Sequence, residues 1–318
     1  MADTPPDVVA QERRRAPMAS AAALIAGLLV IAGPVYSFTV AADQPRVTLP
    51  EALGPLVSQG RPAEPSPAIE VFRFFDANLA SLLVGVALSA LAPVAMGLAL
   101  AFLIRATRNR RPDLSRVLEP LVIASGVLLG VTQLVLGTIV LTRQAALATA
   151  ADQSAAAVRQ VSEATGLSVA QSVGLFAQFG LAGGGFVYGS LSAMRVGLLT
   201  RFMGILGIAV GVLYVLGPFL LGGNQTIIQT FFLLALGLLF RGRWPGGVPP
   251  AWVSGQAEPW PTQLELREAR ERGAHAGNAR GSEAGKEPEP ARERAAQPAP
   301  APAPRPHSSS KKKKRKRR

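Results

Sequence analysis

The chain has 318 residues, 49% of them apolar and only 17% charged, with a mean hydropathy of +0.28. A soluble domain carries about 25% charge, so a simple soluble enzyme, a collagen-like chain and a wholly disordered chain are excluded. Cysteine is absent, which removes disulfides, iron–sulfur clusters and thiolate metal sites, and the two histidines, His275 and His307, lie far from any apolar stretch. The net charge of +13 is uneven: residues 1–240 contribute +3 and residues 241–318 contribute +10. The basicity therefore belongs mainly to the C-terminal part.

A helix crosses ~30 Å of hydrocarbon with roughly 20 apolar residues. Six segments fit: 17–40, 79–104, 118–142, 173–194, 202–221 and 225–240. The fourth is diluted by glycine, and the sixth is short unless Gly222 and Gly223 extend it. The predicted fold class is an all-α polytopic transmembrane bundle of about six spans, with five as the alternative if the fourth is not a crossing. The first segment also has the charged front of a signal peptide in Arg13, Arg14 and Arg15, with a cleavage-like Val40-Ala41-Ala42. Its apolar stretch exceeds the 7–15 residues of a signal core, so an uncleaved helix is the reading adopted. A twin-arginine signal lacks its apolar residues, since Ala16-Pro17-Met18 follows the arginines.

Arginine placement predicts orientation. Residues 1–16 carry Arg13 to Arg15, and the second loop carries Arg105, Arg108, Arg110, Arg111 and Arg116. Arg195 and Arg201 lie between spans four and five, and Arg241 and Arg243 follow span six. Segments 41–78 and 143–172 carry no such excess. The positive-inside rule then puts both termini in the cytoplasm of a multi-pass cell-membrane protein. An even number of spans is required, which supports counting the fourth.

The first outer segment holds Pro45, Pro50, Pro55, Pro62, Pro65 and Pro67 and reads as extended chain, ending in a Val71-Phe-Arg-Phe-Phe75 anchor at the membrane surface. In the second, Asp152, Gln153, Arg159, Gln160 and Glu163 form one stripe, and Leu147, Ala151, Ala155, Val158 and Val161 another. That periodicity predicts an amphipathic helix continuing or following span three, ended by Gly166.

Glycines four residues apart recur as Gly126/Gly130, Gly180/Gly184, Gly185/Gly189 and Gly207/Gly211. This spacing lets helix backbones approach closely in lipid, so these eight are the predicted packing residues. The glycine-rich fourth span is expected to be enclosed by other helices or locally unwound. No Asp, Glu, Lys, Arg or His falls within the six spans. That argues against a proton-coupled pump or an intramembrane metalloprotease, and the absence of catalytic motifs points to a non-enzymatic protein without a cofactor. The polar residues Ser125, Thr132, Gln133, Thr138, Gln178, Tyr188 and Tyr214 are expected to bond between helices, or, through Gln133 and Gln178, to line a path for a neutral solute.

Residues 241–318 read as a disordered Pro/Ala/Arg-rich cytoplasmic tail. Trp244, Trp252 and Trp260 alternate with prolines near the inner surface, and a short helix is expected over 262–272. The chain ends in eight cations, Lys311, Lys312, Lys313, Lys314, Arg315, Lys316, Arg317 and Arg318. Their expected partners are anionic lipid headgroups, with ribosome or nucleic-acid phosphates as the alternative. For the amphipathic connector, a dimer contact, and with it a homo-oligomer, is the alternative to a solvated surface helix.

The Arg201-Phe-Met-Gly-Ile-Leu-Gly207 and Phe240-Arg-Gly-Arg-Trp-Pro-Gly-Gly247 segments, with Pro249-Pro-Ala-Trp252 and Glu258-Pro-Trp-Pro261, resemble uncharacterised multi-pass integral membrane proteins of high-GC, Gram-positive-type bacteria. The resemblance spans 195–261 and implies a bacterial plasma membrane. It brings no activity and no functional residues. The functional classes in view are a structural or interaction protein, a transporter or channel for a neutral solute, and a membrane tether for ribosomes or nucleic acid.

Overall fold

A computed structural model describes residues 5–60, 64–162, 166–220, 225–245, 247–259 and Arg267. The terminal cations Lys311–Arg318, the helix expected over 262–272, Glu163, Gly222 and Gly223 lie outside the described residues. Among those residues the fold is all-α, with no strand.

The long helices are α1 (Pro5–Val40), α4 (Leu79–Arg110) and α5 (Leu118–Ala148). These three are long and apolar enough to cross a membrane. Between α1 and α4 lie the short helices α2 (Leu49–Gln59) and α3 (Ala68–Ala77). After α5 comes α6 (Ala155–Ser162), then α7 (Gly166–Phe179), a π-helical stretch over Gly180–Gly189 and α8 (Ser190–Arg195). Helices α9 (Arg201–Leu220), α10 (Gln225–Phe240) and α11 (Pro250–Ser254) complete the order.

The contacts define an up-and-down bundle. Gly33 meets Ser89 while Glu12 meets Arg110, so α1 and α4 are antiparallel. Gly97 meets Gly126 while Arg105 and Arg108 pair with Glu119 at 3.6 and 3.2 Å, so α4 and α5 are antiparallel too. The rod α7–α8 runs back along α5, with Gly174 beside Thr132 and Gly185 beside Val122. Helix α9 returns along it, with Gly204 beside Met194 and Gly211 beside Phe186. Helix α10 packs on α1 in the opposite direction, with Gly27 beside Leu234 and the Ser20 hydroxyl donating to the Gly237 carbonyl at 2.8 Å. One end of the bundle collects Arg13, Arg105, Arg108, Arg110, Arg195, Arg201 and Arg241. We call it the arginine end.

The α4–α5 crossing brings backbone against backbone. A Cβ on Gly126 would sit 2.5 Å from the Pro93 carbonyl oxygen and 3.1 Å from the Gly97 Cα. Backbone touches backbone there, so no side chain can yield. Gly97 has no glycine four residues away in its helix, which hides it from a spacing pattern. Of the other predicted packing residues, Gly130 sits against the Ala90 carbonyl, Gly180 against Ser125, Gly185 against Leu100, Gly207 against Ser190 and Phe232, and Gly211 against Val187 and Phe186. Gly189 has a looser approach to Ile104. Gly184 meets only the side chains of Leu118 and Val122, at ordinary contact distance.

Four expectations hold only in part. The fourth segment is enclosed on one face only, where Leu181, Ala182, Gly185, Phe186 and Gly189 are buried, and its winding is loosened but not broken. It is a continuous helical rod whose middle has π-type bonding, with Phe176, Phe179 and Tyr188 facing outward. Glycine permits that looser winding at a low steric cost. Among the described residues, segment 41–78 is not extended throughout, since it forms α2 and α3. Pro50 falls in the first turn of α2, where a missing N–H costs nothing, and Thr48 and Glu51 form a reciprocal capping box. Those bonds hold the Glu51 carboxyl below its ordinary range. The aromatic run is not only a surface anchor either, because Ile69 and Phe72 are buried against Leu147 and Ala148. Finally, the expected connector helix follows α5 as α6 after a break at 149–154, but Gly166, its expected stop, opens α7. In that break Asp152 accepts from the Ser154 amide, Gln153 donates to the Ala148 carbonyl, and Ser154 caps α6 through the Ala157 amide.

Gly126→Ala should lower the thermal unfolding temperature in detergent, since the added methyl meets a carbonyl that cannot move alone. Gly183→Ala has nothing within 4 Å of its new Cβ and should leave the temperature unchanged or raise it through helix propensity, about 1 kcal/mol. Equal losses for both would refute the backbone crossing.

Candidate functional site

The arginine end is closed by one buried guanidinium. Arg110 lies in the last turn of α4, roughly 9 Å along the axis beyond Ile104, where the apolar run stops. Its side chain is 0% exposed, and that of Glu12 is 7% exposed. Nη1 donates to Glu12 Oε1 at 2.7 Å and Nη2 to Glu12 Oε2 at 2.8 Å, a parallel two-pronged pair. Nη1 also donates to the Ala106 carbonyl at 2.8 Å. Nε and Nη2 both donate to the Ala251 carbonyl, at 3.0 and 2.7 Å. Guanidinium has five N–H groups, and five bonds use them. Asn109 completes the Glu12 carboxylate with a 3.0 Å bond to Oε1.

Three parts of the chain meet at this point: α1 through Glu12, α4 through Arg110 and the segment after α10 through Ala251. Trp252 secures the third. Its ring lies 5.4 Å from the Arg110 guanidinium carbon, close enough for a cation–π contact. It stacks on Phe102 at 5.9 Å and 12°, and meets Phe240 edge-on at 6.0 Å. Its indole N–H donates to the Leu198 carbonyl at 3.0 Å, tying in the α8–α9 turn. A further bond runs from the Glu258 amide to the Val196 carbonyl at 3.1 Å. Gly197, at φ +81°, lies against Glu258 so closely that any Cβ would collide with its carbonyl.

Residues 241–259 thus depart from the expected disordered tail. Pro250 starts α11, Gly255 ends it in the left-handed conformation, and Trp252 is carried onto the bundle. The burial of two aromatic faces and the bonds to Arg110 and Leu198 outweigh the ordering entropy of so short a segment. The neighbouring turn after α4 is held separately. Arg111 binds Asp113 through both carboxylate oxygens and keeps that carboxyl below its usual range.

The predicted solute path is not assembled among the described residues. Gln133 faces outward, and Gln178 donates to the Tyr214 carbonyl at 2.6 Å, an α7–α9 bond. Tyr188 is outward as well. Two polar residues that the sequence reading did not name bond between helices: Ser20 to Gly237, and Gln229 to the Met96 sulfur at 3.0 Å. Glu12 was also missed. Its signal was a lone acid placed directly before three arginines and one turn outside an apolar run. Among the described residues there is no cluster of potential metal ligands.

No family model, no curated protein and no solved structure matches this chain.

Removing one partner of a buried ion pair costs ~3–5 kcal/mol because the other charge is stranded. Arg110→Ala and Glu12→Ala should each destabilise the detergent-solubilised protein on that scale. Arg110→Lys should not rescue, since an ammonium offers three donors in place of the planar fork. Glu12→Leu/Arg110→Met together should recover part of the loss. Arg111→Ala, at the exposed pair, should leave thermal unfolding unchanged. Indistinguishable unfolding temperatures for Arg110→Ala and Arg111→Ala would remove Arg110 from its central role.

Proposed function

We propose that this chain is a non-enzymatic multi-pass membrane protein of the bacterial cell membrane, a rigid six-span anchor with both termini in the cytoplasm. The spans are α1, α4, α5, the α7–α8 rod, α9 and α10. One observation carries the reading: successive rods alternate in direction, and most of the loop arginines, Arg13, Arg105, Arg108, Arg110, Arg195, Arg201 and Arg241 among them, gather at a single end. In a bilayer that end faces the cytoplasm by the positive-inside rule. The anchor reading is supported by a bundle interior of glycine crossings and apolar side chains. It is also supported by Gln178, whose amide is spent on a backbone carbonyl and not on a lumen. What the anchor presents is the basic C-terminal segment, whose eight final cations bind anionic headgroups at up to ~1 kcal/mol each. A ribosome or nucleic-acid tether uses the same charges. A transporter for a neutral solute is the remaining reading.

Because the native chain has no cysteine, single-cysteine labelling in intact cells tests the topology. Ser58→Cys, exposed on α2, should react with a membrane-impermeant maleimide. Arg111→Cys, partly exposed at the arginine end, should react only after the cells are opened. The reverse pattern would invert the orientation, and labelling of both in intact cells would refute a membrane-embedded bundle.

Deleting Lys311–Arg318 should leave insertion and thermal unfolding unchanged while abolishing salt-sensitive binding of the purified chain to anionic vesicles. Screening strengthens as the Debye length falls from ~10 Å at 0.1 M to ~3 Å at 1 M salt. Binding that survives 1 M salt would overturn the electrostatic account. Much tighter binding to RNA than to vesicles at equal salt would favour the tether.

A further inference from the structure

A half-open cleft of about 400 Å³ lies at the arginine end between α1, the end of α10 and the segment leading into α11. This volume is in the range of small-ligand sites. Its walls change character along one direction. Ala16, Pro17, Leu239 and Phe240 belong to the apolar runs of α1 and α10. Arg13 and Arg241 are the cations that line the cleft just beyond those runs, one on each wall, and both are exposed. Neither makes an ion pair among the described residues. Glu12 also borders the cleft, but both of its oxygens are held by Arg110 and Asn109, so its charge is spent. The mouth is therefore electropositive and the floor apolar.

We propose that this cleft seats one anionic phospholipid, its phosphate between Arg13 and Arg241 and the start of an acyl chain along Leu239, Phe240 and Val248. The argument is positional. The cleft crosses the boundary where the apolar runs give way to charge, and a phospholipid changes from hydrocarbon to phosphate at that same boundary. The charge selects an anion, and the apolar floor selects an amphiphile over a free phosphate. Basic pockets between spans on the cytoplasmic side are a recognised form of lipid site. The inference rests on the membrane reading given above. It predicts a discrete, stoichiometric lipid, in contrast to the diffuse contact of the terminal cations.

The test uses the full-length chain with Lys311–Arg318 all replaced by glutamine, so that the terminal run is silent. Native mass spectrometry from detergent, with added phosphatidylglycerol or phosphatidylcholine, reads lipid retention. One phosphatidylglycerol should be retained, and phosphatidylcholine should be retained far less. Arg13→Gln/Arg241→Gln should weaken retention about thirtyfold, as expected from losing two cationic contacts near a lipid surface. Val248→Trp should also abolish it, by filling the cleft while leaving both arginines in place. Arg14→Gln, which does not line the cleft, should have no effect. Unchanged thermal unfolding of the lipid-free variants would confirm that the fold is intact, because the substituted side chains are exposed. Equal retention of both lipids, or retention indifferent to Val248→Trp, would overturn the proposal. Competition by inorganic phosphate as effective as by phosphatidylglycerol would overturn the lipid assignment. None of these readouts depends on orientation in the cell, so failure of the topology would be seen separately in the labelling pattern.

Discussion

A guanidinium taken out of water must have every N–H matched, and at Arg110 that requirement organises a whole end of the molecule. No single helix can supply five acceptor contacts. Its own α4 offers one carbonyl, at Ala106; α1 must bring both oxygens of Glu12; and the segment after α10 must bring the Ala251 carbonyl. The charge is tolerated because these three arrive together, and each is held in place because the charge is there. Such a pair is weak evidence of net stability, since an apolar cluster could serve as well. Its contribution is to register: α1 and α4 cannot slide by a turn without stranding a buried ion.

The bundle's remaining order comes from steric contacts that act over shorter distances. Gly97 and Gly126 set how near α4 and α5 approach, and the backbone carbonyls of Pro93 and Val122 then become the surfaces that exclude larger side chains. Where glycine is crowded into 180–189, the winding relaxes to the π form and Phe186 is carried inward to meet Phe232 and Tyr214. At the far end from Arg110, a small separate core of Ile69, Phe72, Leu147 and Ala148 fastens α3 to the end of α5. The molecule is thus closed by polar bonding at one end, by glycine crossings in the middle and by apolar packing at the other end.

The contacts around Trp252 also hold the segment after α10 against the bundle. Trp252 is stacked on Phe102 and bonded to Leu198, and Glu258 is bonded to Val196. The segment up to residue 259 is therefore part of the folded body. Its course past α1 and α10 creates the cleft between Arg13 and Arg241, which neither helix pair would form alone.

The sequence by itself determined the helical class, the positions of the long apolar rods and the separation of basic from neutral connections. Those properties are local: length, hydropathy and charge act within one segment, and the bounds of α9 and α10 follow the apolar runs almost residue for residue. Most of the paired glycines were legible for the same reason, since four-residue spacing is a property of one helix face. Tertiary structure alone decided which glycine met backbone. Gly97 has no partner in its own helix, whereas Gly184, in a perfect pair, meets only side chains. It alone also decided that Arg110, one of five arginines in a loop, is buried while Arg111 beside it stays partly exposed. That choice depends on Glu12, about a hundred residues earlier, and on Ala251, about a hundred and forty later. A contact between segments so distant leaves no periodic trace in the chain, because each partner is ordinary in its own neighbourhood and becomes singular only when the fold brings the others to it.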